Sequence, residues 1–298
     1  MTRRALVTGI TGFIGGALSK RLLAEGWRVD AIVRPQSNTD CLPFARDVNF
    51  HIVEDGQDLT PVFAESRPDS VFHLASLYLA EHRPDQIGAL VQSNILFPTL
   101  LAEAMAATGS RCLINTGTAW QNFQGKDYHP VNLYSATKQA TEDLLLYYAS
   151  ARDLSVVTLR LFDTYGRGDK RRKLLQILID SAKSGDPIDM SPGEQIVDMT
   201  HIDDVVDAFL LAAEHQLAQQ RTLSETYYVS NERQSVRALA SLVSETLGRP
   251  IEANFGGRPY RAREVMHPFS PQSEDLVPGW CAKRRLSDQI LRLSQGAD

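Results

Sequence analysis

The chain has 298 residues, 43% of them hydrophobic and 22% charged, with a formal net charge of −5 at pH 7. That composition is ordinary for a soluble globular protein of about two domains, and its acidic balance argues against nucleic acid as a partner. Cys41, Cys112 and Cys281 are odd in number and far apart, which indicates neither a disulfide framework nor a zinc site and reads as reduced thiols.

Arg3 and Arg4 lead into an apolar run, Ala5 to Val7, too brief for a signal-peptide core. No stretch reaches the roughly 20 apolar residues of a membrane span, so a cytoplasmic protein with no membrane partner is expected. Strand-length apolar runs then alternate with helix-length amphipathic stretches. Strands are predicted at 5–8, 28–33, 49–53, 70–74, 111–116 and 155–161, and helices at 15–25, 86–107 and 133–152. Near-continuous Val, Ile, Leu and Phe in several strands suits a parallel sheet buried on both faces. The fold class is therefore α/β, a Rossmann-type doubly wound sheet with right-handed crossovers. After Gly166 come a basic stretch (170–173), a helix, a Gly/Pro-punctuated loop, a helix at 202–216 and a strand at 227–230. The expected division is a dinucleotide-binding domain at 1–166, to which 202–230 returns, and a smaller α+β substrate-binding domain at 167–298.

The first strand runs into Thr8-Gly9-Ile10-Thr11-Gly12-Phe13-Ile14-Gly15. Glycines three apart at a strand-to-helix turn let a pyrophosphate approach the positive end of the helix. The second strand ends at Val33, and Arg34 follows where a NAD-preferring site usually carries an acid on the ribose 2′-hydroxyl. A cation there favours the 2′-phosphate of NADP(H), with NAD(H) as the alternative. Thr116 lies at the end of the fifth strand, and Tyr134 and Lys138 are four apart at the start of a long helix, on one face. An ammonium beside the phenol, with a cationic nicotinamide, is expected to favour the phenolate and make a proton shuttle.

Taken together, these residues resemble the extended short-chain dehydrogenase/reductases, also called the NAD-dependent epimerase/dehydratase family, most of which act on nucleotide-sugars. The likeness covers nearly the whole chain: the glycine fingerprint, Val71-Phe72-His73-Leu74-Ala75, Tyr134 with Lys138, Arg160-Leu161-Phe162 leading to Tyr165-Gly166, and Asp198 followed by His201-Ile202-Asp203-Asp204-Val205. The resemblance implies that Thr116 hydrogen-bonds the reacting sugar oxygen, that Tyr134 is the acid/base and that Lys138 binds the nicotinamide ribose. It implies Leu74, Ala75 and Ser76 beside the cofactor and Asp55 beside the adenine, with Asp58 competing for that role. Tyr78, Thr118, Asp163 and Arg261 fall to the sugar nucleotide, with Ser76 and Glu81 as further candidates for the sugar pocket.

Departures from the family pattern choose the reaction. Dehydratases follow the catalytic Thr with an Asp-Glu pair, and here Gly117 and Thr118 stand there, so elimination lacks its acid and base. Arg34 counts against an epimerase that holds NAD permanently. The stretches 115–121 and 130–134 resemble reductases of nucleotide-linked 4-keto-6-deoxy or 3,6-dideoxy hexoses. Val197 stands where the family often binds phosphate with Arg, and Arg258, Arg263 or the 170–173 cluster could replace that charge. Helix faces around Leu101, Leu144, Leu145 and Tyr148 suggest a homodimer. An NADPH-dependent ketoreductase leads, an NAD-dependent epimerase is the alternative, and a non-catalytic NADP-binding sensor is the reading from another class.

Overall fold

The computed structural model describes residues 2–296 apart from 220, 221 and 223. Those positions and 297–298, which fall in the predicted 202–230 and 167–298 segments, lie outside the described residues. In chain order the first half builds β1 (Arg4–Thr8), α1 (Phe13–Ala24), β2 (Arg28–Val33), β3 (Val48–Ile52), α2 (Thr60–Ser66) and β4 (Ser70–His73). It continues with α3 (Ile87–Val91), α4 (Phe97–Thr108), β5 (Cys112–Thr118), α5 (Leu133–Ala151) and β6 (Ser155–Leu161). All six predicted strands form. They join β10 (Ser224–Val229) in a parallel sheet of order β10-β6-β5-β4-β1-β2-β3. The order reverses direction between β1 and β4, the switch point at which doubly wound sheets bind ligands.

Period-two alternation assigns each strand residue to a face. Ala5 and Val7 join Leu18 and Leu22 of α1 and Phe209 of α7 (Ile202–Ala218), while Leu6, Val71 and Leu113 face α2, α4 and α5. Side chains as fully buried as Leu18, Leu22 and Phe209 contribute roughly 1.5–3 kcal/mol each. Toward their carboxyl ends the strands turn polar at one level. Thr8, His73, Asn115 and Thr158 stand in register across β1, β4, β5 and β6, all buried.

The predicted helix 86–107 is a composite. A short 3₁₀ turn precedes α3, and a π segment, Gln92–Leu96, separates α3 from α4. Pro98 has no N–H for the Asn94 carbonyl, and the Thr141 hydroxyl donates to that carbonyl instead. By length and a mean hydropathy of 1.3, the run Pro84–Thr108 could cross a membrane, contrary to the sequence expectation. In this fold Leu90, Leu101 and Met105 of that run are fully buried. Leu101, Leu145 and Tyr148, expected on a dimer interface, are likewise buried within the chain.

The second half holds more strand than its sequence suggests. β7 (Asp163–Tyr165), β9 (Ile196–His201) and β11 (Glu232–Ser235) make a three-stranded sheet of order β11-β9-β7. β8 (Ile188–Met190) and β12 (Ala253–Phe255) pair where a loop was expected. α6 (Leu174–Ser184), α8 (Val236–Leu247) and α9 (Leu286–Gln295) share a core with these strands around Leu178, Ile179, Leu239 and Ile290. Between them, α7 packs on the main sheet beside α1, and β10 extends that sheet next to β6.

Candidate active site

A cleft of about 2640 Å³ opens at the carboxyl ends of the central strands. Its floor is the turn from β1 to α1. Gly9 has φ +76°, and a Cβ there would lie 2.7 Å from the Ala75 nitrogen; a Cβ on Gly15 would overlap the Gly9 carbonyl oxygen. Only glycine allows so close an approach of β1, α1 and the chain after β4. The first turn of α1 has no side-chain cap and no acidic residue, so free N–H groups and the positive end of the helix dipole meet the cleft. This cradle fits the pyrophosphate of a dinucleotide.

Opposite the cradle stands the start of α5. Asn132 caps it: its Oδ1 accepts from the Ser135 N–H at 2.9 Å, and the Ser135 hydroxyl oxygen accepts from the Asn132 N–H at 3.0 Å. The cap fixes the first turn and with it the bearing of Tyr134 and, one turn on, Lys138. Asn132 also donates to the Ala80 carbonyl at 2.9 Å, holding down the loop that carries Tyr78. Buried Asn94 pins the same loop, accepting from the Ser76 hydroxyl and the Leu77 N–H at 3.1 and 2.8 Å and donating to Thr137 at 3.0 Å. The Tyr78 ring meets Tyr134 edge-on, with centroids 5.0 Å apart. Thr116 donates its hydroxyl proton to the His73 carbonyl at 2.8 Å.

Burial governs the charges here. It pushes the Tyr134 phenol up to about 12, against the pull of the Ser76 hydroxyl and Arg171. It lowers the Lys138 ammonium to about 8, against the attraction of Glu142. Without a bound cofactor, desolvation outweighs the attractions that favour the phenolate. Burial, reinforced by Lys138, holds His73 down to about 3, so its imidazole is neutral. Thr8 Oγ1 lies 2.9 Å from its Nδ1 and accepts from the Leu74 and Ala75 N–H groups, locking the end of β1 to the end of β4.

Gly9, Thr11, Gly12, Phe13, Ile14, Gly15, Leu74, Ser76, Tyr78, Thr116, Thr118, Tyr134, Lys138, Asp163 and Arg261 all line this one cleft. Ala75 lies just beneath Gly9. Arg34 and Asp55 share a separate cavity of about 260 Å³ with Pro35, Gln36 and Glu54. Asp58 instead accepts from the N–H and hydroxyl of Thr60 at 2.9 and 2.7 Å, at the start of α2. Thr118 is tied to a tight turn, donating its N–H to Gln121 and accepting from the Trp120 N–H. Asp163 is open to cleft water yet surrounded by protein, and that enclosure raises its carboxyl pKa despite Lys173 and Arg171. Arg263 is committed elsewhere: it donates to the Val131 and Pro130 carbonyls at 2.8 and 3.0 Å, with its guanidinium 4.3 Å from the Phe123 ring centre.

Behind the site lies a polar network that the sequence reading missed. Arg160 and Glu142 form a half-buried ion pair at 2.6 Å, and Arg160 also donates to Asn122 and Tyr228 at 2.8 and 3.0 Å. A single arginine within the apolar strand Ser-Val-Val-Thr-Leu-Arg-Leu was the signal available. The network presses on Gly117, where a Cβ would lie 2.7 Å from Glu142 Oε1 and 2.9 Å from Arg160 Cγ. Any side chain at 117 would require Glu142 and Arg160 to shift.

The sheet order and the glycine cradle define a Rossmann-type fold. The chain belongs to the NAD dependent epimerase/dehydratase family, whose model matches residues 5–226, and it is a nucleotide-sugar-modifying enzyme. It is 27% identical over 266 residues to the CDP-abequose synthase of Yersinia pseudotuberculosis, covering 89% of this chain and 91% of that protein. It is 28% identical over 277 residues to the UDP-glucose 4-epimerase of Mycolicibacterium smegmatis, covering 85% of each. Among solved structures it resembles the UDP-glucuronic acid 4-epimerase of Bacillus cereus in complex with UDP-glucuronic acid and NAD, with a TM-score of 0.82, 23% identity and 98% of each chain covered.

Proposed function

We propose that the protein is an NADPH-dependent reductase that converts a nucleotide-linked 4-keto-6-deoxy or 3,6-dideoxy hexose to the alcohol. The observation that carries this reading is that Thr116, Tyr134 and Lys138 face one cleft while Gly117 and Thr118 stand where elimination would need an acid and a base. A protonated phenol is the group that a ketone needs when it becomes an alkoxide. The similarity to CDP-abequose synthases supports the same class of sugar.

The bound cofactor supplies the hydride. Gly9, Gly12 and the first turn of α1 hold its pyrophosphate, and Leu74, Ala75 and Ser76 flank it. Lys138 holds the ribose on the nicotinamide side. Tyr134 Oη gives its proton to the sugar C4 oxygen as charge develops there. Thr116 serves the same oxygen, its hydroxyl proton turning from the His73 carbonyl toward the substrate. Once Tyr134 has given up its proton, the Lys138 ammonium stabilises the phenolate. Arg34 has no ion pair among the described residues and is exposed at the mouth of the small cavity, which supports a 2′-phosphate ligand and NADPH. Residues 1–166 with 202–230 act as the cofactor domain, and 167–298 supply the nucleotide-sugar side. The protein acts as a cytoplasmic homodimer; the exposed Ile87, Val91, Leu96, Leu146 and Tyr147 supply apolar surface for it.

Epimerases are also among the similar proteins, and cofactor exchange separates the two readings. The test is to denature the purified protein, identify any released nicotinamide nucleotide, and titrate the emptied protein with NADPH and NADH. Reversible, preferential NADPH binding is expected. Stoichiometric NAD that does not exchange would replace the reductase with the epimerase.

A further inference from the structure

Between Trp120 and Asn132 the chain makes an excursion before it enters α5. Gln124 and Tyr128 hold φ of +57° and +50° there, left-handed values that side chains other than glycine rarely adopt and that persist only where contacts impose them. Two grips close the neck of the excursion. At its entry, Asn122 Oδ1 accepts from Arg160 and from the Tyr228 hydroxyl, both at 2.8 Å. At its exit, Arg263 reaches in from the second half of the chain. Its Nε and Nη2 donate to the Val131 and Pro130 carbonyls at 2.8 and 3.0 Å, and its guanidinium lies 4.3 Å from the centre of the Phe123 ring. Phe123 donates its N–H to the His129 carbonyl at 2.7 Å and Val131 to the Trp120 carbonyl at 2.9 Å, so one side chain touches both sides of the neck.

Pro130 and Val131 directly precede Asn132, the cap of α5, and Tyr134 is the second residue of that helix. A planar guanidinium that donates to two consecutive carbonyls fixes both peptide planes leading into the cap, which a single ammonium on a flexible stem does not. It therefore sets the direction in which the chain enters the helix. Among the described residues, the hydrogen bonds that join 256–265 to 1–166 are those of Arg263. We propose that Arg263 is a positioning residue: from the second half of the chain it fixes the first turn of α5, and with it the bearing of the Tyr134 hydroxyl toward the oxygen that Tyr134 and Thr116 serve together. This rests on the reading of Tyr134 as the proton donor. Arg263 acts through the backbone of 130–132 and not on the substrate.

The test compares full-length wild type with Arg263→Gln and Arg263→Lys in three measurements. Amide hydrogen exchange without ligand is followed in peptides covering 131–138 and, as an internal control, 4–33. NADPH is titrated into each protein, and kcat and KM are measured for a nucleotide-linked 4-keto-6-deoxy hexose. In the Gln variant, exchange over 131–138 should be about tenfold faster with 4–33 unchanged. Its NADPH affinity and KM should stay within about twofold of wild type while kcat falls roughly ten- to a hundredfold, the loss that a misplaced group incurs. The Lys variant should recover part of that loss. Unchanged exchange over 131–138, or a kcat within about twofold of wild type despite faster exchange, overturns the assignment. So does a raised KM with kcat unchanged, which would make Arg263 a substrate ligand. A wild type that reduces no such sugar overturns the reductase reading instead, and the exchange contrast then decides the role of Arg263 without it.

Discussion

Replacing Lys138 by Met should make the protein more stable while removing its activity. Lys138 is 2% exposed, and burial lowers its ammonium from the usual 10.5 to about 8. Each tenfold change in proton affinity is worth 1.36 kcal/mol, so keeping this ammonium charged in the fold costs about 3 kcal/mol at neutral pH. The sign follows from linkage. Below about pH 8 both folded and unfolded chains carry the charge and the full cost is present. Between about 8 and 10.5 the unfolded chain binds the extra proton, so wild-type stability rises with pH as the cost fades. Met keeps the apolar stem without the charge. Glu142 does not become an orphan, because Arg160 still pairs with it at 2.6 Å. Urea unfolding at pH 7 should show the Met variant more stable by about 1–3 kcal/mol, and at pH 10 the two proteins should nearly coincide. A Met variant less stable than wild type at pH 7, or an advantage independent of pH, would refute the reasoning that this lysine is kept charged at the expense of the fold.

Other expectations follow from the same structure. Arg34→Ala should weaken NADPH binding roughly tenfold or more and leave NADH within about twofold, read by titrating both nucleotides; equal loss of the two would remove Arg34 as the phosphate reader. Arg160→Met strands the half-buried Glu142 carboxylate and should cost about 1–3 kcal/mol, measured by denaturant melts, whereas a neutral result would show that Glu142 is solvated. Gly117→Asp should yield no dehydratase activity and lower the melting temperature, since its carboxylate would abut Glu142; a stable variant that eliminates water from a 4-keto precursor's parent sugar would contradict this. Reduction by wild type should fall as pH rises through about 8, when Lys138 loses its charge, while the Tyr134 phenol remains protonated up to about 12. A pH profile flat to 10 would exclude Lys138 from the step.

The six strands of the first half were legible because each is a dense apolar run, and such runs are what a sheet covered on both faces demands. β7, β8 and β12 were not, because three residues carry no period, and they exist through pairing with distant partners such as Ile188 with Ala253. The break near Asn94 was hidden for a similar reason. Pro98 marks it locally, but the Thr141 hydroxyl that takes over the freed carbonyl is 47 residues away. At the site, the glycine turn and Tyr134 with Lys138 could be read from spacing alone. The upward push on the Tyr134 phenol could not, since it depends on how much water the fold removes.

The central claim is net reduction, and the most direct measurement is the stoichiometry of turnover. The protein is incubated with NADPH and a set of nucleotide-linked 4-keto-6-deoxy and 4-keto-3,6-dideoxy hexoses, and both NADPH oxidised and sugar product formed are counted. The account predicts one NADPH consumed for each sugar alcohol formed, and no product from a Tyr134→Phe protein. Conversion of nucleotide-sugars to their C4 epimers with no net consumption of NADPH would contradict it.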